Sequence, residues 1–462
     1  MKAIILGGDG FCGWPNALYL SKQGHDVTIV DNLSRREIDV ELEVESLTPI
    51  RPIGERIRVW KELSGKDIKF ENFTVGKDYH RLVSLIKDEQ PDAIVHFAEQ
   101  RAAPYSMKSA GHKRYTVNNN LNAIKDVLTA VVDAGVDVHV IHLGTMGVYG
   151  YGTAGMKIPE GYLKVKIDTP EGETEQEILY PTNPGSIYHL TKSQDQLLFA
   201  FYNKNDKVKI TDLHQGIVWG TQTDETAMDE RLINRFDYDG DFGTVLNRFI
   251  MQAAVDYPMT VYGTGGQTRA FIHVQDTCKC IEIALNNPPQ TGERVNILNQ
   301  MTETHRVRDL AKMISSATGA KIAYLDNPRN ESAENELNVA NDRFIGFGLK
   351  PKTLESSLIE EVAAIAQKYT GRCDTTKSPA HRLGTDDVGR RRSGWIFNQS
   401  SPIKVHLKIS DTSAGGHQPI RHSPWPMQRL DAPQPWTAHH LRLWAIHREP
   451  HHECPPPDQR KY

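Results

Sequence analysis

The chain has 462 residues, 39% of them hydrophobic, with a formal net charge of −4 and a pI near 6.6. That balance gives no basic field for nucleic acid, no apolar run reaches bilayer-spanning length, and the length exceeds that of a usual single domain. The five cysteines (Cys12, Cys278, Cys280, Cys373, Cys454) show neither metal-ligand spacing nor a disulfide frame, so no metal is expected and a cytoplasmic location is.

The first element is a short apolar run, KAIIL, that leads into GGDGFCGW and a helix-like stretch over 12–24. A strand pattern starting at residue 2 leaves no room for a targeting peptide. Gly7, Gly10 and Gly13 stand at three-residue spacing. Glycine is needed where a backbone turns sharply and where it approaches a pyrophosphate, and the next helix offers free N–H groups to the phosphates. The second strand pattern, 27–31, ends in Asp31 and Asn32. A carboxylate there accepts the ribose hydroxyls of NAD and repels a 2′-phosphate, which outweighs the nearby Arg35 and Arg36. Residues 32–66 form a long charged excursion with Pro49 and Pro52.

Further strand patterns at 68–74, 93–97 and 138–143 alternate with helical ones at 78–89, 115–134 and 186–204. Such alternation predicts an α/β fold, a Rossmann-like, doubly wound parallel sheet with helices on both faces. Thr145 ends the run HVIHLGT, at the carboxyl edge of a strand where ligands of such folds bind. Tyr188 and Lys192 follow at a spacing of four, which stacks them on one helix face. An ammonium near a phenol favours the phenolate and should lower its pKa toward the working range.

From about residue 215 the pattern is less regular, with the turn-rich YGTGGQTR at 262–269 and a helix-like stretch at 353–368. The expected organisation is a dinucleotide-binding domain over 1–214 and a smaller, partly interleaved substrate-binding region over 215–377. Residues 378–462 hold nine of the nineteen His and eleven of the twenty-five Pro with few aliphatic side chains, which predicts a disordered or aberrant tail.

The glycine turn, Asp31, Thr145, Tyr188 and Lys192 together resemble the extended short-chain dehydrogenase/reductases of the NAD-dependent epimerase/dehydratase family, which oxidise and rearrange nucleotide sugars. The strings GGDGFCGW, DNLSRR, ESLTPI, HFAEQRAAPYSM, LGTMGVYG, GQTRAFIHVQDT and NPR resemble the branch that adds sulfite to a UDP-hexose, and the likeness runs from residue 1 to about 376. The resemblance implies bound NAD, UDP-glucose and sulfite as substrates, and Thr145, Tyr188 and Lys192 as the catalytic set. It implies that Asn32, Arg36, Asn119 and Gln215 meet the cofactor and that Arg101 and Gln215 face the substrate. Arg269 and Arg329 are then implied at the UDP pyrophosphate, where a planar fork pairs phosphate oxygens bidentately. A homodimer paired through two long helices is implied as well, with sulfite arriving free or from a donor protein.

Three departures bear on the chemistry. Met146-Gly147 stand where sugar-nucleotide dehydratases of the family carry an Asp-Glu pair, and Val148 replaces a carboxylate of plant members of the branch. The acid that expels the 6-hydroxyl is therefore unassigned, with His189 one candidate. Thr74 stands where an adenine-contacting Asp is usual. A UDP-hexose 4-epimerase would need the same Thr, Tyr, Lys and NAD, whereas a catalytically silent NAD-sensing protein would need no tuned phenol.

Overall fold

The computed structural model describes residues 1–150, 156–327, 333–354 and 356–377, so the expected tail and Arg329 lie outside the described residues. β1 (Lys2–Leu6), α1 (Gly13–Lys22), β2 (Asp26–Val30), α2 (Ser34–Leu42), α3 (Ile53–Ser64), β3 (Ile68–Glu71), α4 (Tyr79–Glu89) and β4 (Ala93–His96) open the chain. They are followed by α5 (Ala103–Met107), α6 (Ala110–Ala134), β5 (His139–Leu143), a hairpin of β6 (Tyr162–Thr169) and β7 (Gly172–Leu179), α7 (Ile187–Asp206) and β8 (Lys209–Gln215). Next come β9 (Ile217–Trp219), α8 (Val245–Ala254), β10 (Met259–Tyr262), β11 (Thr268–His273), α9 (Val274–Asn286) and β12 (Asn296–Gln300). The last are β13 (Glu303–Arg306), α10 (Val307–Thr318), β14 (Ile322–Leu325), α11 (Asp342–Gly346) and α12 (Ser356–Lys368). The excursion at 32–66 thus resolves into α2 and α3.

The main sheet has seven strands in the order β12-β8-β5-β4-β1-β2-β3, and every neighbouring pair is parallel. Residues alternate between its two faces, and both are apolar. Ile5, Ile29, Val95 and Ile141 pack under Trp14 and Leu18 of α1, Trp60 of α3 and Ile281 of α9. Ile4, Ile94, Val140 and Ile210 pack under Ile86 of α4, Ile124 and Val127 of α6 and Phe199 of α7. Each such fully buried side chain contributes about 1.5–3 kcal/mol relative to its exposed state. The strand order reverses between β1 and β4, and the carboxyl ends at that crevice are where an open α/β sheet takes ligands.

Two features escape the sequence patterns. β12 comes from late in the chain yet pairs with β8, because its signal is cut short by Asn296, Asn299 and Gln300. The β6–β7 hairpin alternates through Lys and Glu rather than through apolar residues, with Lys166 paired to Glu173 at 2.6 Å. The remaining elements, α8, α10 and α12 with the short strands around them, bury a separate apolar cluster that includes Trp219, Phe236, Phe249 and Phe271. Among the described residues no helix is long and apolar enough to cross a membrane.

Helix α1 lies close against β1 because Gly13 has no side chain: a Cβ there would stand 2.1 Å from the Gly7 carbonyl oxygen. Gly54, exposed in α3, has open space around it. Gly13→Ala should therefore cost about 1–3 kcal/mol and lower the melting temperature, as overpacking does. Gly54→Ala should leave the melting temperature level or slightly raised. Equal melting temperatures for the two variants would contradict the close approach.

Candidate active site

The β1–α1 turn is built to leave space. Gly7 takes a φ of +84°, and its N–H donates to the Val30 carbonyl at 2.7 Å. A Cβ on Gly10 would meet only the Gly7 oxygen, at 3.3 Å, so the turn presents bare backbone. Helix α1 has no side chain capping its first N–H groups and no acid in its first turn. These groups and the side-chain-free backbone beside them fit a pyrophosphate. Asp31 ends β2 and accepts from the backbone N–H of Asp9 at 2.8 Å and of Leu33 at 2.7 Å. Burial raises its carboxyl to about 6 despite those bonds.

Asp9, inside the glycine turn, was not singled out by the sequence patterns, yet it organises this end. Arg36 grips it with Nε at 2.6 Å and Nη2 at 2.9 Å, and buried Arg56 adds a bond at 3.0 Å while lying over the Trp14 ring. Asn32 donates to the Thr74 hydroxyl at 3.2 Å, which sets Thr74 beside the end of β2. Arg35 turns inward to Asp39 and Asp237.

Thr145 follows β5. Its Oγ1 accepts from the Gly147 N–H at 3.1 Å, and its hydroxyl favours the ionised form of the Tyr188 phenol. Tyr188 and Lys192 lie one turn apart on α7, where Ser186 caps the helix by accepting from the His189 N–H. The sequence expectation for the phenol is corrected here. Removal of its hydroxyl from water raises Tyr188 to about 12, against the lowering pull of Lys192, and the Glu99 carboxylate reinforces the rise. Lys192 is buried and held by that same carboxylate, with Nζ 2.7 Å from Glu99 Oε2 and 2.8 Å from His142 Nε2. Burial alone would lower the Lys192 pKa, but Glu99 and Asp195 outweigh it and raise it. Burial would likewise raise Glu99, but Lys192 and the two histidines hold its carboxyl well below the usual range.

Glu99, His142 and Asp195 offer donor atoms within 4.8 Å of one another, a spacing that suits a cation. The Lys192 ammonium already sits between the first two. His142 is in turn held by Asp212 on β8, Nδ1 to Oδ1 at 2.8 Å. Burial and Lys192 disfavour its charge, yet Asp195, Asp212 and Glu99 raise it to about 10.

The other expected residues fall as follows. Arg101 pairs with Asp237 at 2.7 Å and acts electrostatically on both Tyr188 and Cys12 of the glycine turn. Gln215 ends β8, donates to the Thr277 hydroxyl at 3.3 Å and, against the burial that raises it, lowers the pKa of the Cys12 thiol. Asn119 on α6 donates to Asn120, which bonds Gln100 and Thr191. Arg269 lies on β11, buried, with Nη1 donating to the Thr268 carbonyl. The departure at Met146-Gly147 also has a physical form: a Cβ on Gly147 would lie 2.2 Å from the His189 ring, which fills the space a side chain would need.

A model of the NAD dependent epimerase/dehydratase family matches residues 3–297. The chloroplastic UDP-sulfoquinovose synthase of Spinacia oleracea is 44% identical over 382 residues, 81% of this chain and 77% of that protein. The UDP-sulfoquinovose synthase of Sulfolobus acidocaldarius is 37% identical over 359 residues, 76% of this chain and 89% of that protein. Among solved structures, the UDP-glucose-4-epimerase of Stenotrophomonas maltophila with bound NAD aligns with a TM-score of 0.62 over 81% of this chain and all of that one. At 20% identity that likeness concerns the fold alone.

The raised His142 makes a testable contribution to stability. Its ordinary value is 6.5 and its folded value about 10, so the contribution is full below pH 6.5 and is lost as pH rises through 10. The melting temperature should fall between pH 7 and 10, and fall less steeply in His142→Gln. Parallel pH profiles for the two proteins would contradict the assignment.

Proposed function

The chain belongs to the NAD-dependent epimerase/dehydratase family, and from that premise we propose that it makes UDP-sulfoquinovose from UDP-glucose and sulfite. The observation that carries the reading is the grouping of Thr145, Tyr188 and the buried Lys192 at the carboxyl end of β5, in a chain 44% identical to the spinach synthase. The missing side chain at Gly147 supports it too, since an ordinary dehydratase acid has no room there.

NAD, when bound, would supply the acceptor and donor of the C4 hydride, and a positive charge that favours the phenolate. Gly7, Gly10, Gly13, Asp31, Asn32, Arg36, Asn119 and Gln215 would hold it, with Tyr188 and Lys192 at its reactive end. Tyr188 takes the proton of the C4 hydroxyl, which Thr145 orients, and Lys192 opposes the desolvation that keeps the phenol protonated. The C4 ketone acidifies C5, so the C5 proton and the 6-hydroxyl leave as water. The sulfite sulfur adds at C6 of the resulting enone and C5 regains a proton. Tyr188 then protonates the C4 oxygen as C4 is reduced. Arg101 faces the anionic substrates, and Arg269 with Arg329 the pyrophosphate.

In this reading residues 1–214 bind mainly the dinucleotide and 215–377 mainly the UDP-sugar. Two copies pair through α6 and α7, on which Val132, Leu197 and Phe201 are exposed; light scattering should report a dimer that Leu197→Glu converts to a monomer. A reducing compartment, the cytoplasm in the simplest case, suits Cys12, Cys278, Cys280 and Cys373, which stand as free thiols.

The purified protein with UDP-glucose and free sulfite should yield a sulfonated nucleotide sugar, and Tyr188→Phe should keep its NAD while losing roughly 10²–10⁴-fold in turnover. UDP-galactose without sulfonate would replace this reading with the 4-epimerase. No turnover despite bound NAD would leave a sensor, and sulfonation only after adding a donor protein would show that free sulfite does not suffice.

A further inference from the structure

Arg35 and Arg36 follow the acid that ends β2, and an arginine beside the adenosine ribose is the usual reader of a 2′-phosphate. Arg35 is committed to Asp39 and Asp237. Arg36, in the first turn of α2, folds back onto the glycine turn instead. Its Nε donates to Asp9 Oδ2 at 2.6 Å, and its Nη2 to Asp9 Oδ1 at 2.9 Å and to the Arg51 carbonyl at 2.8 Å. The backbone N–H of the same Asp9 donates to Asp31 Oδ2 at 2.8 Å. One residue thus holds the guanidinium by its side chain and the ribose acid by its backbone, so Arg36 and Asp31 are neighbours.

A carboxylate is an unexpected group inside such a turn. The phosphates the turn would receive are anions themselves, and Asp9 is only 3% exposed. A charge kept there against burial must be paired. Arg56 already provides a partner: it is wholly buried, donates to Asp9 Oδ1 at 3.0 Å and to the Ile233 carbonyl at 3.3 Å, and lies 3.9 Å over the Trp14 ring. That pair alone would balance the carboxylate. The second pair, with the part-exposed Arg36, has a different consequence, because it fixes a guanidinium beside Asp31 and takes up its charge.

We infer that Asp9 sets the dinucleotide preference of this chain, by closing Arg36 into an ion pair and so denying it to the 2′-phosphate of NADP. The pinned guanidinium still suits uncharged ribose hydroxyls, as NAD requires. A 2′-phosphate, about −1.5 to −2 in charge, would have to pull Arg36 off Asp9 while facing Asp31. Asp31 repels that phosphate by its own charge, and Asp9 withholds the cation that would offset the repulsion. The inference concerns the cofactor end alone and stands apart from the sugar reaction.

The test reads cofactor identity on the full chain, with no turnover assay. Protein is exchanged to equilibrium against an equimolar mixture of NAD and NADP, freed of unbound nucleotide and denatured, and the released dinucleotides are separated by chromatography. The wild type should release NAD almost alone. Asp9→Asn/Arg56→Met removes the acid and the buried cation together, so neither is left unpaired. It should raise the NADP-to-NAD ratio by about tenfold or more, the worth of one charge-assisted hydrogen bond. Adding Arg36→Met to that pair should return the ratio to the wild-type value. If the pair of substitutions melts below the assay temperature, Asp9→Asn alone, in which Arg56 keeps the Ile233 carbonyl and the Trp14 ring, carries the same comparison. A variant lacking the Asp9 carboxylate that stays as exclusive for NAD as the wild type would overturn the inference. So would a gain of NADP that survives Arg36→Met, since the freed guanidinium would then not be its reader.

Discussion

The constraint on which the site depends is a buried ammonium. Lys192 is buried among the central strands and helices, and a cation there must be paired or neutralised. Glu99, immediately after β4, and His142, on β5, provide the pair at 2.7 and 2.8 Å. Those two contacts pin α7 onto the carboxyl ends of the central strands. Tyr188, one turn earlier on the same helix, is thereby set against Thr145 at the end of β5. The same pairing has a chemical consequence, because the Glu99 charge offsets part of what Lys192 does for the phenol.

The dinucleotide end follows a similar logic with opposite charges. Asp9 sits in the glycine turn and is gripped by Arg36 and Arg56, which ties the turn to α2 and α3. Its backbone N–H reaches the Asp31 carboxylate, so the acid that would meet a ribose is oriented by the turn that would meet a pyrophosphate. Gln215 closes the circuit from β8 to Cys12. Asp9 and Arg56 at one end, and Glu99 and His142 at the other, thus hold the crevice from behind the residues that would meet the ligands.

Much of this was legible in the chain. The five N-terminal strands, the glycine turn, Asp31 and the Tyr188–Lys192 spacing all carry local patterns, period two or period 3.6, that survive folding. Glu99, His142, Asp195 and Asp212 carry none, since no fixed spacing in the chain links them. Their proximity arises only from the strand order β8-β5-β4 and from α7 crossing above it. β12 was hidden for a related reason, because its partner β8 lies some eighty residues earlier. The phenol's rise to about 12 was missed because spacing shows the nearby ammonium but not the burial that outweighs it.

These arrangements converge on one chemical claim: a sugar alcohol at C4 is oxidised and restored within a single binding event while C6 exchanges oxygen for sulfur. The direct measurement is turnover of UDP-glucose carrying deuterium at C4, with sulfite, followed by NMR and mass analysis of the nucleotide-sugar product. The account predicts a product with sulfur at C6 and the deuterium still at C4. A sulfonated product with protium at C4, or a C4 epimer with its 6-hydroxyl intact, would contradict it.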